Sequence, residues 1–314
     1  FGLIPGIVLF AIAQKLPTSF FERYAGVWYA LLVFVLCLVL VPGVGHEYGT
    51  FARSWISVGP MRFQPAEVGK ILYIIFLAAY LHKKGKKILS MEEGFIPTLV
   101  VAGFPCILLV LQPDVGTAMI YGGILLSMLF VSEARFSHLA LLFCAGIVIS
   151  AILISASPYR AARFNTFLHP ELDPLGNGYH VNQALLAVGS GGFFGLGLGH
   201  SRQKFAYLPE VQADSIFAIL AEELGFFIST GFLVFFCFWC VRLFGFGLAS
   251  GSTFAAFVCV GVASWWFLQM VVNVGAMIGV LPLTGVPLPF VSHGGSALMA
   301  QLAGAGIVSR LVRV

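Results

Sequence analysis

The sequence predicts an all-α, polytopic membrane protein, from its composition, its long apolar runs and the placement of its charges. Hydrophobic residues make up 59% of the 314 residues and charged residues 10%, and the mean hydropathy is +0.98. A soluble domain typically carries about 25% charged residues. So little polar surface cannot cover a water-facing globule, which excludes a soluble globular protein.

Nine apolar stretches are predicted to be membrane helices, since a helix crosses the bilayer in about 20 residues. We place them at about residues 1–14, which is an incomplete span, 24–42, 66–82, 95–111, 116–132, 137–156, 214–241, 254–280 and 292–312. We expect residues 157–213 to be a large extracellular loop within a single membrane domain, residues 1–314. A weaker apolar piece in that loop, Val181 to Phe194, is better explained as a helix lying at the interface than as a span.

Short loops rich in Lys and Arg orient the chain, because such loops stay in the cytoplasm. The strongest cluster is Lys83-Lys84-Gly85-Lys86-Lys87, which we place on the cytoplasmic side. Alternation of the spans then puts six further cations on that side, and none disagrees: Lys15, Arg23, Arg135, Arg242, Arg310 and Arg313.

The opposite face carries both cations and acids. Its cations are Arg53, Arg62, Arg160, Arg163, Arg202 and Lys204, and its acids are Glu47, Glu171, Asp173, Glu210 and Asp214. Ordinary solvated loops with paired charges would explain this pattern. The alternative is a basic basin for a phosphate-bearing ligand, because the guanidinium of Arg binds phosphate through two parallel hydrogen bonds. A phosphate carrier that arrives from the membrane would be a lipid-linked intermediate.

The first outer loop leads into a helix through a dense polar segment, residues 53–70. Pro65 suits the first turn of that helix. Glu67 and Lys70 stand three residues apart, so they share a helix face and can pair. Because ionisable groups inside a membrane are costly and tend to mark function, these side chains are either a structural ion pair or ligand contacts.

A second polar segment, Gln112-Pro113-Asp114, joins two spans on the same outer side. Pro and Asp favour a turn at this place. The alternative is that Asp114 faces the basin and holds an Arg or a divalent cation.

A third segment runs from the large loop into a long apolar helix and contains Asp214. Physical reasoning leaves two roles for Asp214, since an acid at a helix start caps free N–H groups and can equally serve as a base. Glu222 lies eight residues further on, about 12 Å deeper by helical rise, so both acids can border one cavity. Glu223 faces elsewhere, and we expect it to pair within the helix bundle.

The fourth segment, residues 281–296, contains three prolines and three glycines at a membrane edge. Such a segment cannot continue a helix. Irregular backbone at that depth survives only when it is buried in protein or lines a wet cavity. The segment therefore points to an outer cavity, although His293 taken alone is more often a structural residue than a catalyst.

These four segments closely resemble the SEDS family (shape, elongation, division and sporulation), which includes FtsW, RodA and SpoVE. The matching patterns are R-x-W-I-x-x-G-P-x-x-F-Q-P-x-E-x-x-K, Q-P-D-x-G-T, Y-L-P-E-x-x-x-D-x-I-F-A-x-x-x-E-E-L-G and P-L-T-G-V-P-L-P-F-V-S-x-G-G-S. They occur in this order and, with the helices between them, cover essentially the whole chain. The segment from Gly189 to Lys204 resembles the FtsW and SpoVE branch more than RodA.

The resemblance implies ten membrane helices, with one before Phe1, and an inverting peptidoglycan glycosyltransferase. Such an enzyme polymerises lipid II into β-1,4 glycan strands at the outer face of the bacterial cytoplasmic membrane. The essential aspartate of the family falls on Asp214, which we expect to be the general base. The implied partners are lipid II, the growing glycan strand, a class B penicillin-binding protein (a transpeptidase) and division regulators. We expect neither nucleic acid nor an organic cofactor.

The remaining predicted substrate contacts come from the first, second and fourth segments and from the large loop. They are Arg53, Arg62, Arg202, Lys204, Glu67, Lys70, Gln112, Asp114, Ser292 and His293. The candidates for neutralising a leaving pyrophosphate, alone or together with Mg²⁺ or Mn²⁺, are the six outer cations: Arg53, Arg62, Arg160, Arg163, Arg202 and Lys204.

Two other functions are compatible with the same residues. A lipid II flippase would also use broken helices and intramembrane acids, but it needs a polar path to both faces, and the cytoplasmic loops are short. A scaffold that only activates a partner synthase would need no base at all.

Overall fold

The computed structural model describes residues 2–46, 53–59, 61–170, 177–206 and 213–312. Three short strands lie in the first outer loop: β1 (Gly45–His46), β2 (Trp55–Val58) and β3 (Met61–Phe63). The helices are α1 (Leu3–Lys15), α2 (Thr18–Arg23), α3 (Ala25–Leu40), α4 (Pro65–Lys84), α5 (Ile96–Leu111), α6 (Val115–Val131), α7 (Phe136–Ser155), α8 (Pro158–Leu168), α9 (Asn177–Ser190), α10 (Gln203–Ala206), α11 (Ile216–Ala249), α12 (Thr253–Met277) and α13 (Gly295–Val312).

Every predicted apolar stretch is a helix in the part of the chain that the structure describes. Six helices are long and apolar enough to cross a membrane, and α1, α3 and α6 are shorter apolar helices. The all-α, multi-pass architecture is therefore confirmed, while the ten-helix count remains an implication of the resemblance. Within the predicted loop at 157–213, the structure places α8, α9 and α10, and residues 171–176 and 207–212 lie outside its description.

The chain divides into two compact units that alternate along the sequence. Unit 1 comprises Phe1–Phe143, Cys240–Trp266 and Gly294–Val314, and unit 2 comprises Cys144–Trp239 and Phe267–His293. The expectation of a single membrane domain stays a prediction. Each unit is described by itself below.

Helix α4 forms the core of unit 1. Tyr73, Ile74 and Leu77 on this helix have no exposed surface, so apolar contacts surround it. Helix α1 packs along α13 through small residues: Gly6 faces Leu302, and Gly306 lies against the backbone of Phe10. Small residues let membrane helices approach closely, which is the usual basis of their packing.

Loops that carry the predicted cytoplasmic cations meet at one end of unit 1. His82 Nε2 lies 3.6 Å from Glu22 Oε1, which brings the lysine loop beside α2. Gln14 donates to the Ser309 hydroxyl at 2.9 Å, which joins the ends of α1 and α13. The grouping of these loops agrees with the alternation of spans, and the compartment they face stays a prediction.

The opposite end of unit 1 holds a three-stranded antiparallel sheet with the order β1-β2-β3. Ser57 pairs with Arg62, and Val58 with Met61. The N–H of Gln64 donates to the Ser296 hydroxyl at 3.0 Å, so the start of α4 is tied to the start of α13. No pattern in the sequence predicted these strands.

A buried ion pair lies inside unit 1. Lys70 Nζ is 2.5 Å from Glu67 Oε1, and the two residues are 0% and 2% exposed. Lys70 also lies over the ring of Trp265, 5.8 Å from its centre. A buried charge is tolerated only when it is paired. The geometry therefore agrees with the first of the two explanations for Glu67 and Lys70, a structural ion pair.

Unit 2 contains a break in its longest helix. Helix α11 is interrupted at Gly225, whose φ of 77° and ψ of −179° are not helical. In an unbroken helix, the N–H groups of Phe226 and Phe227 would donate to the carbonyls of Glu222 and Glu223. Neither bond is formed, so four backbone groups inside a membrane helix need other partners.

A glycine-rich loop, residues 191–199, supplies all four partners. The replacement bonds are Leu196 N–H to Glu222 O (3.0 Å), Gly197 N–H to Glu223 O (3.0 Å), Phe226 N–H to Gly192 O (2.9 Å) and Phe227 N–H to Phe193 O (3.3 Å). The backbones meet so closely that a Cβ at Gly225 would collide with Gly195 N, and a Cβ at Gly195 would collide with Glu223 O. Glycine at both positions is therefore a steric requirement.

We predict that Gly225→Ala destabilises the protein by about 2 kcal/mol or more, because alanine is strained at positive φ and its methyl group would separate the two backbones. Gly231→Ala on the same helix is the matched control, since a Cβ there has no atom within 4 Å. Equilibrium unfolding in detergent micelles measures both. Equal stability of the two variants would contradict the exchange of hydrogen bonds.

We also predict that Lys70→Met costs about 3–5 kcal/mol, because it leaves Glu67 charged and buried without its partner. The double variant Glu67→Gln/Lys70→Met should recover most of that loss. Lys86→Met, at an exposed position, should stay within about 0.5 kcal/mol of the parent protein. The same unfolding assay measures the stability of all three variants. A double variant no more stable than Lys70→Met would contradict the pairing of Glu67 with Lys70.

Candidate functional site

Asp214 lies in unit 2, two residues before the start of α11, and is half-buried. Its backbone carbonyl accepts a hydrogen bond from Asn273 Nδ2 at 2.8 Å. The same amide nitrogen donates to the carbonyl of Val286 at 2.9 Å. Asn273 is 2% exposed, so one buried side chain of α12 fixes both the main chain of Asp214 and the proline-rich segment.

The proline-rich segment, residues 281–292, lies beside the carboxylate. A Cβ built on Gly285 would be 4.0 Å from Asp214 Oδ2, and Gly285 has φ of +72°, a conformation that favours glycine. The irregular backbone predicted here is confirmed. It brings a residue without a side chain next to the acid.

Polar groups from two other helices approach the same place. Ser215 Oγ lies 3.4 Å from Asp214 Oδ1 and 2.6 Å from His180 Nε2 on α9. Arg163 on α8 donates to the carbonyl of Leu283 at 3.5 Å. The carboxylate therefore sits in polar surroundings with a guanidinium close to the adjoining segment.

Glu222 and Glu223, just before the helix break, anchor the segment that follows the glycine-rich loop. Glu222 accepts from the Ser201 hydroxyl at 2.5 Å and from the Arg202 N–H at 3.0 Å. Lys204 Nζ is 2.7 Å from Glu223 Oε1. The expectation that Glu223 pairs within the bundle is confirmed.

This pairing also bears on the predicted pyrophosphate contacts. The ammonium group of Lys204 has a carboxylate partner, whereas Arg202 is exposed. Arg163 contacts the segment beside Asp214, and the pyrophosphate contact of Lys204 stays a prediction.

Ser292 and His293 lie at the end of the proline-rich segment. The hydroxyl of Ser292 accepts from the N–H of Leu288 at 2.8 Å and is buried, so its contacts stabilise the local turn. His293 is exposed.

The remaining predicted contacts lie in unit 1. Arg53 and Arg62 are exposed beside the sheet. Gln112 is 1% exposed and donates to the carbonyl of Leu36 at 2.8 Å, which is a packing contact. Glu67 and Lys70 form the buried pair described above.

Asp114 caps helix α6. Its Oδ1 accepts from the Thr117 N–H at 3.1 Å, and its Oδ2 accepts from the side-chain amide of Gln64 at 3.4 Å. Burial raises the pKa of Asp114, and the Thr117 N–H opposes the rise. The turn favoured by the sequence is what the structure shows.

Sequence reasoning missed three residues beside Asp214: Asn273, Ser215 and His180. Asn273 carried a usable signal, because an amide in an apolar membrane helix tends to form hydrogen bonds within the protein. Ser215 and His180 carried none, since only the fold brings α9 to the start of α11.

No group of three or more His, Cys, Asp or Glu side chains within the described ranges could hold a metal ion. Among the described residues, the donors next to Asp214 are its own carboxylate and the side chains of Ser215 and His180. These described donors alone do not fit a resident Mg²⁺ or Mn²⁺, which prefers several oxygen ligands, and a metal requirement stays a prediction.

The chain is similar to a known protein family and to individual members of it. The family described as "Cell cycle protein", which groups FtsW, RodA and SpoVE, matches residues 1–314. Stage V sporulation protein E of Bacillus subtilis (strain 168) is 42% identical over 290 residues, 91% of this chain and 79% of that protein. A probable peptidoglycan glycosyltransferase FtsW of Thioalkalivibrio sulfidiphilus is 37% identical over 314 residues, 99% of this chain and 78% of that protein.

A solved structure has the same fold. It comes from work on the coordination of polymerization and crosslinking by a peptidoglycan synthase complex, and the matching chain is 30% identical with a TM-score of 0.81. The match covers 99% of this chain and 87% of that one. The family match covers the whole chain, the two relatives are 42% and 37% identical, and the fold is shared with a solved structure. The chain therefore belongs to the FtsW/RodA/SpoVE family of cell cycle proteins.

Proposed function

We propose that the protein is a peptidoglycan glycosyltransferase that polymerises lipid II into β-1,4 glycan strands. The observation that carries the proposal is the half-buried Asp214, whose main chain Asn273 ties to the proline-rich segment. Relatives named as probable peptidoglycan glycosyltransferases support the reaction class. An acid that is fixed at the start of a membrane helix and only partly buried suits a base that acts at a membrane surface.

Asp214 acts as the general base. Its carboxylate takes the proton from the 4-hydroxyl of the acceptor sugar, and the oxygen attacks the anomeric carbon of a donor linked to lipid pyrophosphate. The bond from that carbon to the phosphate oxygen breaks, its electron pair leaves with the pyrophosphate, and the configuration inverts to β. A well-placed general base contributes about 10²–10⁴-fold to such a rate.

Charge on the leaving pyrophosphate must be neutralised. Arg163 is the cation nearest to the segment beside Asp214 among those whose contacts are described for unit 2, and its planar guanidinium suits phosphate oxygens. Arg202 is exposed in the same unit, and Arg53 and Arg62 remain candidates from unit 1. Mg²⁺ or Mn²⁺, if used, would help to neutralise the pyrophosphate, and the described residues beside Asp214 do not by themselves form a site for it.

The cellular setting is part of the proposal. We place the protein in the bacterial cytoplasmic membrane with Asp214 on the extracytoplasmic side, because the lysine-rich loop favours the cytoplasm. A class B penicillin-binding protein is the proposed partner, supported by the likeness to a chain of a synthase complex that couples polymerization to crosslinking. Division regulators are further proposed partners.

The test of this function is polymerisation by the purified protein in liposomes that contain lipid II and no other polymerase. Glycan strands resolved on a gel would support the glycosyltransferase. Transfer of labelled lipid II between leaflets without strands would support a flippase instead. Strands that appear only after a partner synthase with its own polymerase is added would support a scaffold.

We predict that Asp214→Asn lowers the initial rate of strand formation at least 100-fold, because asparagine keeps the size and capping ability of the side chain but not its basicity. Glu92→Gln removes one carboxylate at an exposed position in the lysine-rich loop region and should polymerise at the rate of the parent protein. Normal strand formation by Asp214→Asn would show that the base is another group.

A further inference from the structure

A chain of hydrogen bonds reaches Asp214 from helix α9. His180 Nε2 lies 2.6 Å from Ser215 Oγ, which in turn lies 3.4 Å from Asp214 Oδ1. Ser215 has no exposed surface, and its carbonyl accepts from the Ala218 N–H in the first turn of α11. The hydroxyl is therefore held in place between an imidazole and a carboxylate.

The direction of these bonds follows from the number of protons. An ionised carboxylate only accepts hydrogen bonds, and a serine hydroxyl has one proton to donate. When Ser215 donates that proton to Asp214, it can bind His180 only as an acceptor. The imidazole must then carry its proton on Nε2, and its N–H polarises the hydroxyl toward the carboxylate.

The two oxygens of Asp214 face different surroundings. Oδ1 is on the side of Ser215. Oδ2 is the oxygen nearer to Gly285, since a Cβ on that glycine would be 4.0 Å from it. A carboxylate held through one oxygen presents the other in a fixed direction, which is what proton transfer requires.

We propose that His180 is a positioning residue for glycosyl transfer, acting through Ser215 to hold the carboxylate of Asp214 in a fixed orientation. The inference rests on the proposed function. The proton of the sugar hydroxyl goes to the carboxylate of Asp214, while Ser215 and His180 keep their own protons throughout. Their contribution is to orientation, so their loss slows the chemical step and leaves substrate binding largely unchanged.

Three single variants test this chain of hydrogen bonds. Ser215→Ala removes the hydroxyl from a buried position without adding atoms, and His180→Leu removes the imidazole N–H. His180→Gln retains an N–H donor at the end of a side chain of similar length. The double variant Ser215→Ala/His180→Leu tests whether the two residues act in series.

The measured quantities are kcat and KM for strand formation from lipid II by the purified protein, with a melting curve for each variant. We expect Ser215→Ala and His180→Leu to lower kcat about tenfold with KM within threefold. We expect the double variant to match the single ones within twofold, and His180→Gln to recover most of the loss.

Several results would overturn the inference. A kcat of Ser215→Ala within twofold of the parent protein removes the link to Asp214, and this variant decides the matter even if His180→Leu does not fold. A loss in His180→Leu that His180→Gln does not recover makes the imidazole a packing group. An effect on KM alone makes it a binding group. If the parent protein forms no strands, the proposed function is wrong, and the inference that rests on it is wrong as well.

Discussion

The structure of unit 2 depends on one exchange of backbone hydrogen bonds. At Gly225, two helical bonds of α11 are replaced by four bonds to a glycine-rich loop. In the hydrocarbon region of a bilayer, each unsatisfied N–H or carbonyl would cost several kcal/mol. The break is stable only because the loop restores every bond, and the loop fits only because glycines stand at both points of contact.

The position of Asp214, the candidate catalytic residue, depends on the exchange of hydrogen bonds at Gly225. Residues 216–224 form a helical piece of about two and a half turns between Asp214 and the break. Its far end is fixed by the loop, and the acids there hold the segment at Ser201 and Lys204. Its near end is fixed by Asn273 and by the contact of Ser215 with His180. A carboxylate held from both directions keeps its orientation without being buried.

The sequence predicted the features that depend on local pattern. Apolar runs located the nine helices, and the spacing of Glu67 and Lys70 predicted a pair on one helix face, because both follow from helical periodicity. The strands β1–β3 escaped prediction because they are two to four residues long and form by pairing across loops. The exchange at Gly225 is a main-chain interaction, which no side-chain pattern specifies.

The candidate site was likewise predictable only where it depends on local pattern. Asp214 emerged from its place at a helix start and from the family resemblance, whereas Asn273 comes from α12, and Ser215, the next residue in the chain, acquires its partner His180 only from α9. The pairing of Lys204 with Glu223 could not be foreseen, because it requires the glycine-rich loop to return to α11. Long-range placement, rather than residue type, separates the predicted from the unpredicted contacts.

The most direct test of the account separates lipid II binding from bond formation at Asp214. Binding of labelled lipid II to the purified protein and to Asp214→Asn would be measured alongside a single turnover with equimolar acceptor. The account predicts binding constants within about threefold of each other and a bond-forming step at least 100-fold slower in the variant. Loss of binding and turnover together would contradict it, since Asp214 would then hold the substrate or the fold rather than remove the proton.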